Sequence, residues 1–450
     1  MKKRREAPVV ELAVDDLSHD GRGVARHEGK VVFVADALPG ERVLAQLHRR
    51  RRDFAEATLV EVLAPAADRV TPRCRHFGVC GGCVLQHLAP EAQIAAKQQQ
   101  LLENFRRLAD LAPARVLPPL TADVWHYRRK ARLSVRHVEK KGRVLVGFRE
   151  RNARYVADIQ RCEVLDERVG PHIQAIAEMV GSLDTARDIA QIEVAAGQDM
   201  PVLVFRHLAP LPDADRERLI AFGQQMQFAI FLQPGGIDSV HPLWPERHEL
   251  YFTLPRHQLR YDFLPLDFVQ VNHSLNQAMV DQALELLAPS ADERVLDLFC
   301  GLGNFSLPLA RHAGEVVAVE GEAGLVQRAC DNARSNGIDN VQFHAADLAG
   351  ELKGQAWAGG HYDAVLIDPP RSGAQELLTR MRFSDASRLL YISCHPGSLA
   401  RDAGILVRDH GWRLAAAGVM DMFPHTGHVE SIALFDRAGK PGKSGKSGPH

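Results

Sequence analysis

From Asn272 onward the apolar residues change their rhythm, and this change limits the fold more than any other feature of the chain. NHSLNQAMVDQALELL has a helical period; RVLDLFC, EVVAVE, VQFHAAD, YDAVLID and RLLYISC follow as short β-type runs interspersed with helical segments. Alternation of this kind predicts a parallel sheet wrapped by helices, because a parallel return needs a long crossover.

Upstream the pattern differs. Between residues 9 and 64, VVELAVDDL, GKVVFVADALPGERVLAQL and ATLVEVL are close-spaced β-type runs broken by turns such as HDGRG, which predicts a small barrel. A linker, Pro65 to Pro72, leads to CRHFGVCGGC and a helical run, PEAQIAAKQQQLLENFRRLADL. ARLSVRHV, RVLVGFRE and DIAQIEVAAG give residues 120–266 an antiparallel, β-rich character. The tail AGKPGKSGKSGPH has the composition of a disordered segment. The expected architecture is α/β and multidomain: a barrel at 1–65, a central β-rich domain at 66–270, a Rossmann-like domain at 271–437 and a tail at 438–450.

Composition excludes some classes. No apolar run approaches the roughly 20 residues of a membrane span, and MKKRREAPVVEL has no apolar core behind its charges, so the chain is expected in the cytoplasm. Seven cysteines are too few for a secreted disulfide framework, and the count is odd. In a reducing compartment clustered cysteines bind metal or do chemistry. The net charge of −1 conceals a basic stretch from Thr121 to Arg161, with twelve Lys and Arg against four Asp and Glu, which suits a polyanionic partner. Nothing in the sequence demands more than a monomer.

VLDLFCGLGNFSLPLA sets a glycine turn between a strand and a helix, where a ligand can approach the backbone. Glu320, ending the next strand, can accept from both hydroxyls of a ribose, and Asp347, after the third, can reach an adenine amino group. Any one of these residues is weak evidence; the ordered series Asp297, Gly301, Gly303, Glu320, Asp347 is more specific. The GLG turn lacks a third glycine, which favours S-adenosylmethionine, a ligand without a pyrophosphate, over a dinucleotide.

IDPPR holds Asp368 on a rigid loop, and Arg371 stands where amine methyltransferases carry an aromatic residue that stacks on the base. The next strand ends at Cys394, before a helix whose dipole is expected to favour the thiolate. Glu430, in MDMFPHTGHVESI, opens a further strand. Together these suit methylation of uracil carbon 5: a thiolate adds to carbon 6, carbon 5 gains the electron density to attack a methyl group, and a base then removes the proton left on carbon 5. Cys394 is the candidate nucleophile and Glu430 the candidate base, with His425 and His428 as possible supporting partners. Taken alone, a strand-end cysteine is more often a packing residue and a strand-end glutamate more often solvated; the combination carries the reading.

Cys74, Cys80 and Cys83, spaced C-x5-C-x2-C, with Cys162 as the expected fourth ligand, mark a metal site. Spacing leaves zinc and an iron–sulfur cluster equally open. Cys300 and Cys330 read as packing residues. The basic stretch interleaves Trp125, Tyr127, Phe148 and Tyr155, aromatic faces on which unpaired bases could stack, and the barrel adds the run from His48 to Arg52.

PLDFVQVN, DLFCGLGNFSLPLA, IDPPR, YISCHP and MFPHTGHVES, in that order, resemble the bacterial RNA uracil-C5 methyltransferase family, and the N-terminal stretch resembles a TRAM domain. With the barrel and the four cysteines, the chain except its tail looks like the branch acting on 23S rRNA at uracil 1939; tRNA-directed members lack both features and a sister rRNA enzyme lacks the barrel. The resemblance implies a [4Fe–4S] cluster on Cys74, Cys80, Cys83 and Cys162. It implies S-adenosylmethionine contacts from Gln270, Phe299, Asn304, Glu320, Asp347 and Asp368. Cys394 matches the family nucleophile and Glu430 its base, while His395 stands where the family usually has Asn. The alternatives are an enzyme that methylates another site or another base, which a product assay separates, and an RNA-binding protein without turnover, against which intact Cys394 and Glu430 argue.

Overall fold

The computed structural model describes residues 7–151 and 154–437, so the expected disordered tail lies outside the described residues. Five strands, Val9–Leu17, Gly23–His27, Lys30–Ala35, Arg42–Arg50 and Phe54–Ala64, close into a barrel. Alternate residues point inward, and Leu12, Val14, Val32, Val34, Val43 and Leu47 fill the interior. Closure removes the free edges that five short strands would otherwise expose.

The central sheet has six strands in the order His241–Trp244, Ala229–Gln233, Val202–His207, Ile189–Ala195, Lys130–Val138, Arg143–Gly147. The expectation of a purely antiparallel domain needs correcting. Val202–His207 and Ala229–Gln233 run parallel, and the helix Asp213–Met226 makes the crossover between them. That helix is mostly polar, and its short buried stripe of Leu219 and Gly223 was too narrow to signal a packed helix.

The C-terminal sheet has eight strands in the order Val341–Ala345, Glu315–Glu320, Arg294–Leu298, Ala364–Ile367, Arg388–Ser393, Glu430–Asp436, Arg413–Met420, Arg115–Val116. The first five are parallel, as the alternation predicts. Glu430–Asp436 is antiparallel to both neighbours, because the chain returns from Met420 through a loop rather than a helix. The helix Pro90–Asn104 and the strand Arg115–Val116, expected in the central domain, join this sheet instead: Ile94, Leu101 and Phe105 pack with Leu296, Leu399 and Leu414, and Arg115–Val116 pairs with the 413–420 strand. Their apolar residues find the open face of the last strands. Among the described residues no helix is long and apolar enough to cross a membrane.

Candidate active site

The carboxyl ends of the parallel strands gather the residues expected to hold a methyl donor. Asp297 is wholly buried and accepts a hydrogen bond from the Ser306 hydroxyl, tying the strand end to the start of the following helix. Burial, reinforced by Asp368 and Glu320, pushes its proton affinity up to about 7. The turn after it is tightly wound: Phe299, Gly301 and Gly303 all have positive φ, 65°, 56° and 84°. Phe299 is not a residue that favours this conformation, and its N–H, bonded to the Val319 carbonyl, helps hold it there. Glu320 accepts from the Gly301 N–H at 3.0 Å and the Glu322 N–H at 3.1 Å, which orients its carboxylate across the turn. Asn304 exchanges two hydrogen bonds, each 2.9 Å, with Asn276, and Asn276 shares the lining of a small cavity with Gln270. Asp347 stands exposed on the rim, its carboxylate accepting from the Ala349 N–H.

Cys394 and Glu430 come together through strand register. Ser393 pairs with Ser431, so the next step along the two antiparallel strands sets Cys394 opposite Glu430. Asp368 belongs to the same group. Burial, then Asp368, raises the Glu430 carboxyl to about 8, with Lys97 opposing; burial alone holds Asp368 near 7. The expected thiolate at Cys394 needs correcting. Burial, then Glu430 and Asp368, pushes the thiol up to about 11, so the resting sulfur is protonated. The following helix, Pro396–His410, does not outweigh two carboxylates and desolvation. Its N-cap is His395, whose Nδ1 accepts from the Ser398 N–H at 3.1 Å, which is the service an Asn side chain would perform.

Cys394 opens into a cavity of about 740 Å³ whose far wall is the barrel loop from Asp16 to Asp20. Arg107, Arg128 and Arg371 supply its cationic side. Gly81, Gly82, Arg128 and His428 also border a second cavity, of about 230 Å³, lined by Cys74, Cys80, Cys83 and Cys162. All four cysteines are free. Burial raises Cys83 to about 12, and the crowding of Cys162, Cys80 and Cys74 adds to it. Among the described residues no three His, Cys, Asp or Glu side chains are set to hold a single metal ion. Four cysteine sulfurs around one cavity are a donor set that fits either zinc or an iron–sulfur cluster.

Three of the four aromatic residues expected to stack on RNA are occupied. Trp125 stacks on His425 at 4.0 Å with Arg73 over its ring. Tyr127 is buried and donates to the Pro424 carbonyl. Phe148 lines the cysteine cavity. Tyr155 alone of these four is exposed, at 69%. They sit where the central domain meets the catalytic loop, and burial there outweighs display. In the His48–Arg52 run, His48 bonds Thr58 and Arg51 lies over Phe54; the side chains of residues 49 and 50 lie outside the described residues. Cys300 is buried as expected, whereas Cys330 is half-buried.

His428 borders both cavities, whereas His425 is a structural bolt: its N–H donates to Gln93 Oε1 at 2.8 Å, and its carbonyl accepts from Val84 and Leu85. Sequence reasoning missed Gln93, Lys97 and Asp421. Lys97 and Asp421, each 3% exposed at the side chain, form a buried ion pair at 2.6 Å. In PEAQIAAKQQQ, glutamines and a lysine four apart read as a solvent face, and no local signal says otherwise.

A parallel sheet with a glycine turn, a strand-end acid and a carboxylate loop at its carboxyl edge defines a Rossmann-type S-adenosylmethionine-dependent methyltransferase fold. Residues 90–438 match the tRNA (Uracil-5-)-methyltransferase family, and residues 3–60 match the TRAM domain. The chain therefore belongs to the tRNA (uracil-5-)-methyltransferase family, with a TRAM domain ahead of it. It is 55% identical to a 23S rRNA (uracil(1939)-C(5))-methyltransferase of Xanthomonas euvesicatoria pv. vesicatoria, over 97% of this chain and 99% of that one. A protein of the same name from Stenotrophomonas maltophilia is 54% identical over the same shares. In fold it resembles the tRNA (uracil-54, C5)-methyltransferase of Pyrococcus abyssi, solved with S-adenosyl-L-homocysteine, with a TM-score of 0.71 at 20% identity, covering 95% of this chain and 100% of that one.

Proposed function

We propose that this chain transfers a methyl group from S-adenosylmethionine to carbon 5 of a uracil in 23S rRNA, at the position numbered 1939 in the names of its relatives. The observation that carries the reading is Cys394 lining a cavity walled by a TRAM barrel, with the buried Glu430 opposite it across the sheet. Near full-length identity of 55% to relatives so named supports the rRNA assignment over tRNA.

In this mechanism S-adenosylmethionine supplies an electrophilic methyl on a sulfonium. Gln270, Phe299, Asn304, Glu320, Asp347 and Asp368 hold the donor at the strand ends. Since the free thiol is protonated at neutral pH, its proton passes to water in the open cavity as Sγ bonds to carbon 6 of the uracil. Carbon 5 takes the methyl, and the Glu430 carboxylate then accepts the carbon 5 proton. The double bond re-forms and sulfur leaves. Stacking covers both faces of a uracil within a helix, so the target base must turn out of its helix to meet Cys394. Cys74, Cys80, Cys83 and Cys162 would hold a [4Fe–4S] cluster, whose chemistry here is structural: it would fix the loop from Gly81 to Val84 that walls the cavity. Barrel, cysteines and the proposed catalytic pair lie on one polypeptide, so a single copy carries every group that this mechanism uses.

RNA with 5-fluorouracil at the target tests the nucleophile, because fluorine cannot leave as a proton does. Wild-type protein should form an adduct that survives denaturation, and Cys394→Ala should form none; an adduct in that variant removes Cys394 from its role. Anaerobically purified protein should be brown, with about four irons per chain; a colourless protein with one zinc overturns the cluster.

A further inference from the structure

The helix Pro90–Asn104 turns three polar side chains toward the strand end and loop that lead to Glu430. Gln93 grips the His425 backbone at 2.8 Å, and Gln98 Oε1 accepts from the Val419 N–H at 3.2 Å. Between them, Lys97 Nζ donates to Asp421 Oδ1 at 2.6 Å and to the Phe423 carbonyl at 3.0 Å. Two amides already hold the segment in place. A buried ammonium adds a desolvation cost of several kcal/mol that a third amide would avoid, so the charge calls for an explanation of its own.

Glu430 supplies one. It pairs across the sheet with Met420, the residue before Asp421. Each group acts on the other: Lys97 draws the Glu430 carboxyl down against burial and Asp368, while burial lowers the Lys97 ammonium and Asp421 and Glu430 raise it. The charged or titratable groups around Glu430 are Asp368 and Cys394 from neighbouring strand ends, Asp421 and His428 from its own loop, and Lys97 from the helix. Asp368 and Cys394 disfavour a carboxylate there, and Lys97 opposes them.

We propose that Lys97 is a positioning residue for proton removal: its ammonium, locked between Asp421 and the Phe423 carbonyl, favours the ionised form of Glu430 when the methylated ring must lose its carbon 5 proton. This rests on the roles of Cys394 and Glu430 given above. In that step the carboxylate takes the proton, the carbon–hydrogen pair becomes the carbon 5–carbon 6 double bond, the Sγ–carbon 6 bond breaks, and its electrons return to sulfur. A protonated Glu430 cannot take the proton, and the adduct persists.

The test follows tritium release from RNA carrying tritium at carbon 5 of the target uracil, as a function of pH, together with covalent complex on denaturing gels. It compares wild type, Lys97→Met, the double variant Lys97→Met/Asp421→Asn, which leaves no stranded carboxylate, and Glu430→Gln as reference. In the double variant the acid limb of tritium release should move up by roughly one pH unit or more, with covalent complex accumulating below it and donor binding by calorimetry unchanged. An unmoved limb in a folded, donor-binding double variant overturns the role of Lys97, because a merely structural contact would change yield or stability and leave the limb in place. Failure of the underlying reading is distinct: Glu430→Gln would then release tritium at the wild-type rate.

Discussion

Cys394 faces Glu430 one step beyond the Ser393–Ser431 pair, on two antiparallel strands separated in the chain by the helix Pro396–His410 and the strand Arg413–Met420. The sheet rather than a loop sets their separation, so the proposed nucleophile and base share one rigid frame. The frame also raises the proton affinity of both. Proximity and burial thus deliver a protonated thiol and a weakly acidic carboxyl, a pair suited to passing protons near neutrality.

Glu430→Gln should separate the two halves of the reaction. Methyl transfer should proceed once, and a denaturation-resistant complex should accumulate on unmodified RNA; Cys394→Ala should give no complex. Since Glu430 acts as a carboxylate and titrates near 8 in the free protein, wild-type turnover should fall as pH drops below about 8. A rate flat from pH 6 to 8 would remove Glu430 from that limb.

Asp421→Ala should strand the Lys97 ammonium in the interior. The expected loss is roughly 3–5 kcal/mol, read as a lower urea midpoint. Replacing Lys97 and Asp421 together by Met and Asn should recover most of it. Equal losses in the single and double variants would show that packing, not charge, dominates.

Gly427→Ala should loosen the barrel. A Cβ at Gly427 would lie 2.6 Å from the His19 carbonyl oxygen, a backbone atom of the barrel loop. Relieving that overlap costs about 1–3 kcal/mol. The RNA Kd should rise about tenfold, with S-adenosylmethionine binding intact. Unchanged RNA affinity would separate the barrel contact from substrate binding.

Acid should weaken the fold before most carboxylates titrate. Burial holds His87, His273 and His425 neutral, with pKa values lowered to about 4. The unfolded chain protonates these rings first, so their contribution is complete above about pH 6.5 and is lost progressively as pH falls toward 4. Unfolding midpoints at pH 7.5, 6 and 5 should decline in order. The His425→Gln variant should show a shallower decline, and a slope equal to wild type would exclude that ring.

Much of the site was legible because its residues stand at strand ends in a fixed order. Asp297, Glu320, Asp368, Cys394 and Glu430 each terminate or begin a β-run, and a parallel sheet brings such ends to one edge. The barrel was legible from alternation, since Leu12 and Val14 differ from their neighbours in burial as well as in type. The helix Pro90–Asn104 was visible as a helix but not as part of the catalytic domain, because its inward face carries Gln93 and Lys97 beside Ile94 and Leu101. Trp125 and Tyr127 misled for a related reason: an aromatic residue between arginines looks the same whether it stacks on a base or on His425.

The sequence by itself determined which residue types stand at the strand ends and in what order, and so which atoms are candidates to attack, to take a proton or to meet a donor. Only the tertiary structure decided the protonation of Cys394, the burial of Lys97 with Asp421, and the joining of the barrel and cysteine loop into one cavity. Those properties arise from contacts between separate segments, such as Lys97 with Asp421, and from the loss of water around them, neither of which leaves a local trace in the chain.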